Sequence, residues 1–210
     1  MKAVIFDMDG VISDTNFLQS RVEEELLRKC GINLSYKEIT KKYAGMADKE
    51  FFEKMFKDFD TKCDVEATIK EKYRNLLQLG KGKIKPIEGA PELISKLKKN
   101  GFKLAVASAS RKDLIEFILS ELKILDKFDT LTSSAEVQKG KPDPETFLLT
   151  AEKLKIEPKD CTVIEDGKLG MIAAKKGGMR CIGLVSNMRG DYPADKLISN
   201  LNQLTLEDFE

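Results

Sequence analysis

The chain has 210 residues, 41% hydrophobic and 34% charged, which suits one large domain or a main domain carrying a smaller one. Its 36 basic and 35 acidic residues nearly cancel, so no overall field draws it to nucleic acid or to an anionic membrane. It has no histidine, which excludes Ser-His-Asp and Cys-His catalysis and leaves acid–base work to carboxylates, lysines, cysteines, tyrosines or metal-bound water.

Four cysteines (Cys30, Cys63, Cys161 and Cys181) are widely spaced, with no C-x-x-C pair and no histidine to complete a zinc site. They read as reduced thiols of a cytoplasmic protein. The N-terminal apolar run is too short for a signal peptide, and no run approaches a membrane span. The expectation is therefore a cytoplasmic monomer with a small-molecule partner, and neither nucleic acid nor membrane.

Along the chain, Ala3–Phe6 is a short apolar run ending in acidic residues and glycine, the pattern of a buried parallel strand feeding a loop. A helix is predicted from Asn16 to Cys30 with Gly31 past its end. Ser35 and Glu38 form a capping box before a second helix ending near Gly45. Two more helices are predicted, Asp48–Phe59 and Asp64–Leu79, followed by a linker at Gly80–Lys83. Thereafter strands and helices alternate: helix Pro91–Lys99, strand Lys103–Ser108, helix Arg111–Leu122 and a short strand at Thr130–Thr132. A helix opens after Asp143-Pro144, with Asp as N-cap and Pro in the first turn. Strand Cys161–Glu165, helix Lys168–Lys176 and strand Arg180–Val185 complete the series. This alternation implies an α/β fold, a doubly wound parallel sheet with an all-helical block inserted after the first strand. The expected division is a core of residues 1–14 and 85–210 and a helical domain of residues 15–84.

In such sheets ligands bind beyond the carboxyl ends of the strands. Asp7 and Asp9 stand at the first such end, Ser108 at the second, and Glu165 and Asp166 at a third, with Lys141 in the loop between the last two. Carboxylates gathered this closely need a shared cation, and oxygen-only ligands favour Mg²⁺ over zinc. Each residue also has an ordinary structural reading: Asp-x-Asp as a turn, Ser108 as a strand-end hydroxyl, Lys141 as a solvated loop lysine, and Asp166-Gly167 as a turn. Ser110 with Asp113 fits a helix capping box. Their order at successive strand ends gives the functional reading its weight.

The segments Asp7-Met8-Asp9-Gly10-Val11, Val106-Ala107-Ser108-Ala109-Ser110, Gly140-Lys141-Pro142-Asp143-Pro144 and Glu165-Asp166-Gly167 with Gly170 resemble the motifs of the haloacid dehalogenase (HAD) superfamily. The resemblance runs from Lys2 to about Val185 and is to the helical-cap subgroup that includes β-phosphoglucomutase-like phosphatases. The motif order is not that of a response-regulator receiver domain, where the lysine comes last. The resemblance implies a Rossmann-like core and cap, with Asp7 as nucleophile and Asp9 as general acid and base. It implies Mg²⁺ held by Asp7, the Asp9 carbonyl and Asp166, with Glu165 as an outer partner, and a phosphoryl group bound by Ser108, Lys141 and the backbone at Ala109. An aspartate two residues past the nucleophile implies an alcohol leaving group. The position aligned with Gln19 is histidine in β-phosphoglucomutases, and the flanks of Gly45, aligned with Ala44 and Asp48, are cationic there. Their absence implies a phosphatase acting on a small phosphate monoester, such as a sugar phosphate, rather than a mutase. Gln19, Gly45 and Met46, with Lys42 and Lys49 nearby, are the implied cap contacts, and Arg111 falls where the mutases place a phosphate-binding lysine. Gly167, often serine in relatives, is a departure that loosens the fourth motif. A non-catalytic relative would have no need of Asp7, Asp9, Lys141 and Asp166 together.

Overall fold

A computed structural model describes residues 2–43 and 46–209. Strand β1 (Ala3–Phe6) leads into four helices, α1 (Asn16–Lys29), α2 (Tyr36–Tyr43), α3 (Asp48–Asp58) and α4 (Val65–Gly80). The alternating part follows: α5 (Ala90–Lys99), β2 (Lys103–Ser108), α6 (Lys112–Glu121), β3 (Thr130–Ser133), α7 (Glu145–Leu154), β4 (Cys161–Glu165), α8 (Lys168–Lys176), β5 (Arg180–Leu184) and β6 (Lys196–Ile198). All neighbouring strands are parallel, in the order β3-β2-β1-β4-β5-β6. The strand order reverses beside β1, which places the crevice of the doubly wound sheet at the end of that strand.

Strand alternation splits the interior in two. Val4, Phe6, Leu104 and Val106 face a large core shared with the inserted helices, α5 and α6. Ala3, Ile5, Ala105 and Ala107 face a smaller one closed by Phe147 of α7 and by Met171, Ala173 and Ala174 of α8. Alanine on that second face lets α7 and α8 approach the sheet closely.

Helix positions follow the sequence reading with small shifts at the ends. Pro144, rather than Asp143, takes the N-cap place of α7, and the Asp143 carboxylate accepts from the Glu145 N–H at 3.1 Å. Ser110 does not cap α6: Arg111 holds the cap position with no side-chain cap bond, and Asp113 pairs with Arg111 instead. The edge strand β6, only three residues long, had no periodicity to reveal it.

The cysteine reading is corrected. Cys30 and Cys63 form a disulfide, while Cys161 and Cys181 are free and buried. Cys30 caps the C-terminus of α1 and Cys63 precedes Asp64, the N-cap of α4, so helix packing brings together two residues 33 apart in sequence. Sequence spacing carries no sign of this, because the Cα separation of 5.9 Å is set by how α1 and α4 pack. Among the described residues, no helix is long and apolar enough to cross a membrane.

Protein unfolded without reductant and then alkylated is expected to take up label at Cys161 and Cys181 only. Cys30→Ser should lower stability by roughly 4 kcal/mol, the chain-entropy value for a loop of this length, read as a fall in Tm that reductant reproduces in the native protein. Label at all four positions would contradict the bridge.

Candidate active site

Strand β1 lies between β2 and β4, with Phe6 in register with Val106 and with Ile164. Asp7 after β1, Ser108 at the end of β2 and Glu165-Asp166 at the end of β4 are therefore carried to the same edge of the sheet. The Asp7 N–H still donates to the Ile164 carbonyl at 2.9 Å, so the carboxylate is mounted on the sheet.

Lys141 closes this cluster. Its ammonium donates to Asp7 Oδ1 at 2.5 Å and to Glu165 Oε2 at 2.7 Å, and all three side chains are buried. Phe147 lies under the same ammonium, 5.0 Å from ring centroid to Nζ. Burial would lower the lysine pKa, but Asp7 and Glu165 raise it and keep the group charged.

One lysine does not balance three acids. Asp7, Glu165 and Asp166 hold carboxylate oxygens within 4.8 Å of one another. Burial and the neighbouring Glu165 push the Asp7 carboxyl up to about 8, against the pull of Lys141. Burial, Glu165 and Asp7 likewise drive Asp166 well above its ordinary value. Two glycines make room for this crowding. A Cβ on Gly170 would meet Glu165 Oε2 at 1.9 Å, and one on Gly10, whose φ is +86°, would meet Asp166 Oδ2 at 2.1 Å. A hard, oxygen-seeking divalent cation fits this donor set, because it relieves the repulsion that otherwise holds protons on the acids.

Asp9 sits apart from that cluster in a ring of hydroxyls. Thr15 donates to Oδ1, and Ser110 donates to Oδ2 at 3.3 Å. Burial raises its pKa, opposed by Thr15, Gln19, Lys72 and Ser110. Asp9 is thus a carboxyl group held by neutral hydroxyls. Asn16, beside Thr15 at the start of α1, donates to Asp166 Oδ2 at 3.1 Å, so the first turn of α1 holds both acids.

A cavity of about 480 Å³ lies between these residues and the inserted helices. Asp7, Asp9, Glu165 and Asp166 form its floor, with Ala109 and Ser110 to one side. Gln19 and Met46 line its upper wall, as does the exposed Lys42; Lys49 does not, and Ala44 and Gly45 lie outside the described residues. Ser108 is buried and accepts from the Ser110 N–H at 3.1 Å without reaching the wall. Arg111 is not brought into the cavity. Its guanidinium lies over the Tyr73 ring at 4.7 Å and pairs with Asp113 at 2.8 Å. Asp48 enters the wall by an unforeseen route, bound to Lys72 and Tyr73.

Sequence reasoning missed Thr15, Asn16, Glu23, Ser110 and Lys72. Two signals existed: Glu23 lies four residues after Gln19 on α1, and Lys72 interrupts the buried stripe of Thr68 and Leu76 on α4.

Two consequences of the charge cluster are measurable. The raised Asp7 pKa means that its protonated folded form is favoured. Its contribution to stability is present below the ordinary carboxylate pKa of about 3.9 and is lost as pH rises through about 8. A divalent cation competes with that proton. The gain in Tm on adding Mg²⁺ should therefore be larger at pH 8 than at pH 6, with affinity rising by up to about tenfold per pH unit; equal gains would contradict the shared site. Lys141→Ala leaves two buried carboxylates unpaired and should cost about 3–5 kcal/mol without metal, part of it recovered when Mg²⁺ is added.

The chain is similar in sequence and fold to known proteins. Residues 4–184 match the family model for haloacid dehalogenase-like hydrolases. A β-phosphoglucomutase of Bacillus subtilis is 32% identical, the match covering 99% of this chain and 93% of the relative. Hexitol phosphatase B of Escherichia coli is 28% identical, covering 99% and 96%. The crystal structure of a β-phosphoglucomutase from Clostridium difficile superposes with a TM-score of 0.89 at 28% identity, over 99% of this chain and 95% of that one. The chain, with its acid cluster at the end of β1 and its helices inserted behind it, belongs to the haloacid dehalogenase-like hydrolases.

Proposed function

We propose that this enzyme is a Mg²⁺-dependent phosphatase that hydrolyses a small phosphate monoester, a phosphorylated sugar or sugar alcohol, through an aspartyl-phosphate on Asp7. The observation that carries the reading is the separation of two acids with different roles. Asp7 is ion-paired to Lys141 at 2.5 Å within the acid cluster, whereas Asp9 is hydrogen-bonded to hydroxyls and free of any ion pair among the described residues. The relatives named hexitol phosphatase in Escherichia coli and phosphorylated carbohydrates phosphatase in Thermotoga maritima support this choice of substrate class.

Asp7 would attack phosphorus, splitting the transfer into two displacements. Asp9 gives its proton to the leaving alkoxide and takes one from water in the second step, the exchange for which its raised pKa suits it. Thr15 and Ser110 hold its two oxygens in place through both steps. Lys141 offers its charge to the phosphoryl oxygens, and the backbone at Ala109 adds donors. Asp7, the Asp9 carbonyl and Asp166 would hold the Mg²⁺, with Glu165 behind them. Bound there, the cation would supply charge that offsets the phosphoryl group. Residues 15–84 act in this reading as a cap that excludes water and provides the leaving-group contacts.

Mutase activity is the second reading, favoured by the β-phosphoglucomutase relatives. Asp48 weighs against it. Placed where a mutase carries a cation, it lines the cavity as a carboxylate held by Lys72.

Incubation with Mg²⁺ and a panel of phosphate monoesters should release inorganic phosphate. Asp7→Asn should abolish turnover, and Asp9→Asn should lower kcat by about 10²–10⁴-fold, the range for a positioned acid–base group. Isomerised hexose phosphate from β-glucose 1-phosphate and a bisphosphate primer, without net phosphate release, would instead establish the mutase.

A further inference from the structure

The wall of the cavity opposite the acid cluster is built from three charged side chains that come from three different helices. Glu23 of α1, Lys72 of α4 and Asp48 of α3 all line it. The Lys72 ammonium donates to Glu23 Oε1 at 2.6 Å and to Asp48 Oδ1 at 2.5 Å. Lys72 is only 2% exposed, which makes this a built feature and not a solvated pair. Burial opposes its charge, but Asp48 and Glu23 raise its pKa and keep it protonated.

The second oxygen of Asp48 is occupied too. The Tyr73 hydroxyl donates to Oδ2 at 2.5 Å and accepts the Arg111 N–H at 2.9 Å. The triad is thereby tied to the loop after β2, the loop from which Ser110 reaches Asp9. Its position relative to the reacting groups is set on both sides.

Counting donors and acceptors shows what this wall offers. An ammonium has three N–H groups, and two are used. Among the described residues the third has no acceptor, and Glu23 Oε2 has no donor. One free donor beside one free acceptor matches a hydroxyl group, which both accepts and donates. The charge count points the same way, since two carboxylates flank one ammonium and the excess is negative. A second phosphate or a carboxylate placed there would meet repulsion that the single lysine does not offset.

On the phosphatase reading above, we propose that the Glu23–Lys72–Asp48 triad is the specificity element of the site: it binds the uncharged hydroxyl end of a polyol-type leaving group and rejects leaving groups that carry a second anion. The substrate class is then a polyhydroxylated monophosphate of a size that a cavity of about 480 Å³ admits. Phosphorylated sugar acids and bisphosphates are excluded by charge, not by size.

A matched pair tests this. Sorbitol 6-phosphate and 6-phosphogluconate share one carbon chain and one phosphate, and differ at the far end by a hydroxymethyl group against a carboxylate. With wild-type enzyme and Mg²⁺, kcat/KM for the sugar acid should be lower by about tenfold or more. Glu23→Gln and Asp48→Asn keep the shape and remove charge. Each should raise kcat/KM on 6-phosphogluconate and lower it on sorbitol 6-phosphate, a crossing of activities that simple loss of structure does not produce. Equal wild-type activity on the pair, or variants that lower both substrates in proportion, would overturn the proposal. If wild type hydrolyses p-nitrophenyl phosphate, whose leaving group makes no call on the triad, but does not discriminate within the pair, the triad's role fails while the phosphatase stands. No phosphate release from any ester would remove the phosphatase reading, and the triad's assignment with it.

Discussion

The contact on which the rest depends is the buried ammonium of Lys141 between Asp7 and Glu165. Parallel strands in a doubly wound sheet end together on one edge, so acids at the ends of β1 and β4 are forced into proximity by the register of the sheet. Without a cation they could not all ionise. The lysine, from the loop before α7, holds two of them, and the remaining excess is what makes the site suited to a divalent metal. The glycines belong to the same constraint. Gly10 and Gly170 stand where any side chain would collide with the carboxylates of Asp166 and Glu165.

A second consequence is the division of labour between two aspartates two residues apart. β1 ends at Phe6, and the turn after it is pinned by the Gly10, Ile12 and Ser13 N–H groups, which carries Asp9 away from the acid cluster. There it meets Thr15 and Ser110, neutral partners that leave burial as the dominant influence on its pKa. Asp7 is held by charge and Asp9 by hydroxyls. That difference in partners suits the two roles proposed above, Asp7 as nucleophile and Asp9 as carrier of a proton.

The inserted helices complete the site instead of merely covering it. Three of them contribute to the Glu23–Lys72–Asp48 triad, and α4 reaches the core through Tyr73. The Cys30–Cys63 bridge fastens α1 to the segment entering α4, the two helices that carry Glu23 and Lys72. Breaking any one member of a buried ion-pair network leaves its partners uncompensated, so the three helices are coupled in position through these charges.

The sequence by itself determined the class of fold and which acidic residues gather at the edge. Apolar runs of strand length and helical periodicities placed β1 to β5 and the helices to within a few residues, because these are local properties. Asp7, Asp9, Lys141, Glu165 and Asp166 were legible because each stands at a strand end or in a loop at that edge, and the sheet brings such positions together in any fold of this class. Tertiary structure decided the rest. Arg111 turned onto Tyr73 and away from the cavity, Ser110 bonded Asp9 and not the start of α6, and Cys30 met Cys63. Lys72 and Glu23, 49 residues apart in the chain, became neighbours at 2.6 Å. Helical spacing marks Glu23 and Lys72 as candidates, but the pairings themselves leave no local trace, because each depends on how segments far apart in the chain pack against one another. The motif residues share a sheet edge by topology, whereas the residues proposed to choose the substrate meet only when the helices are in place.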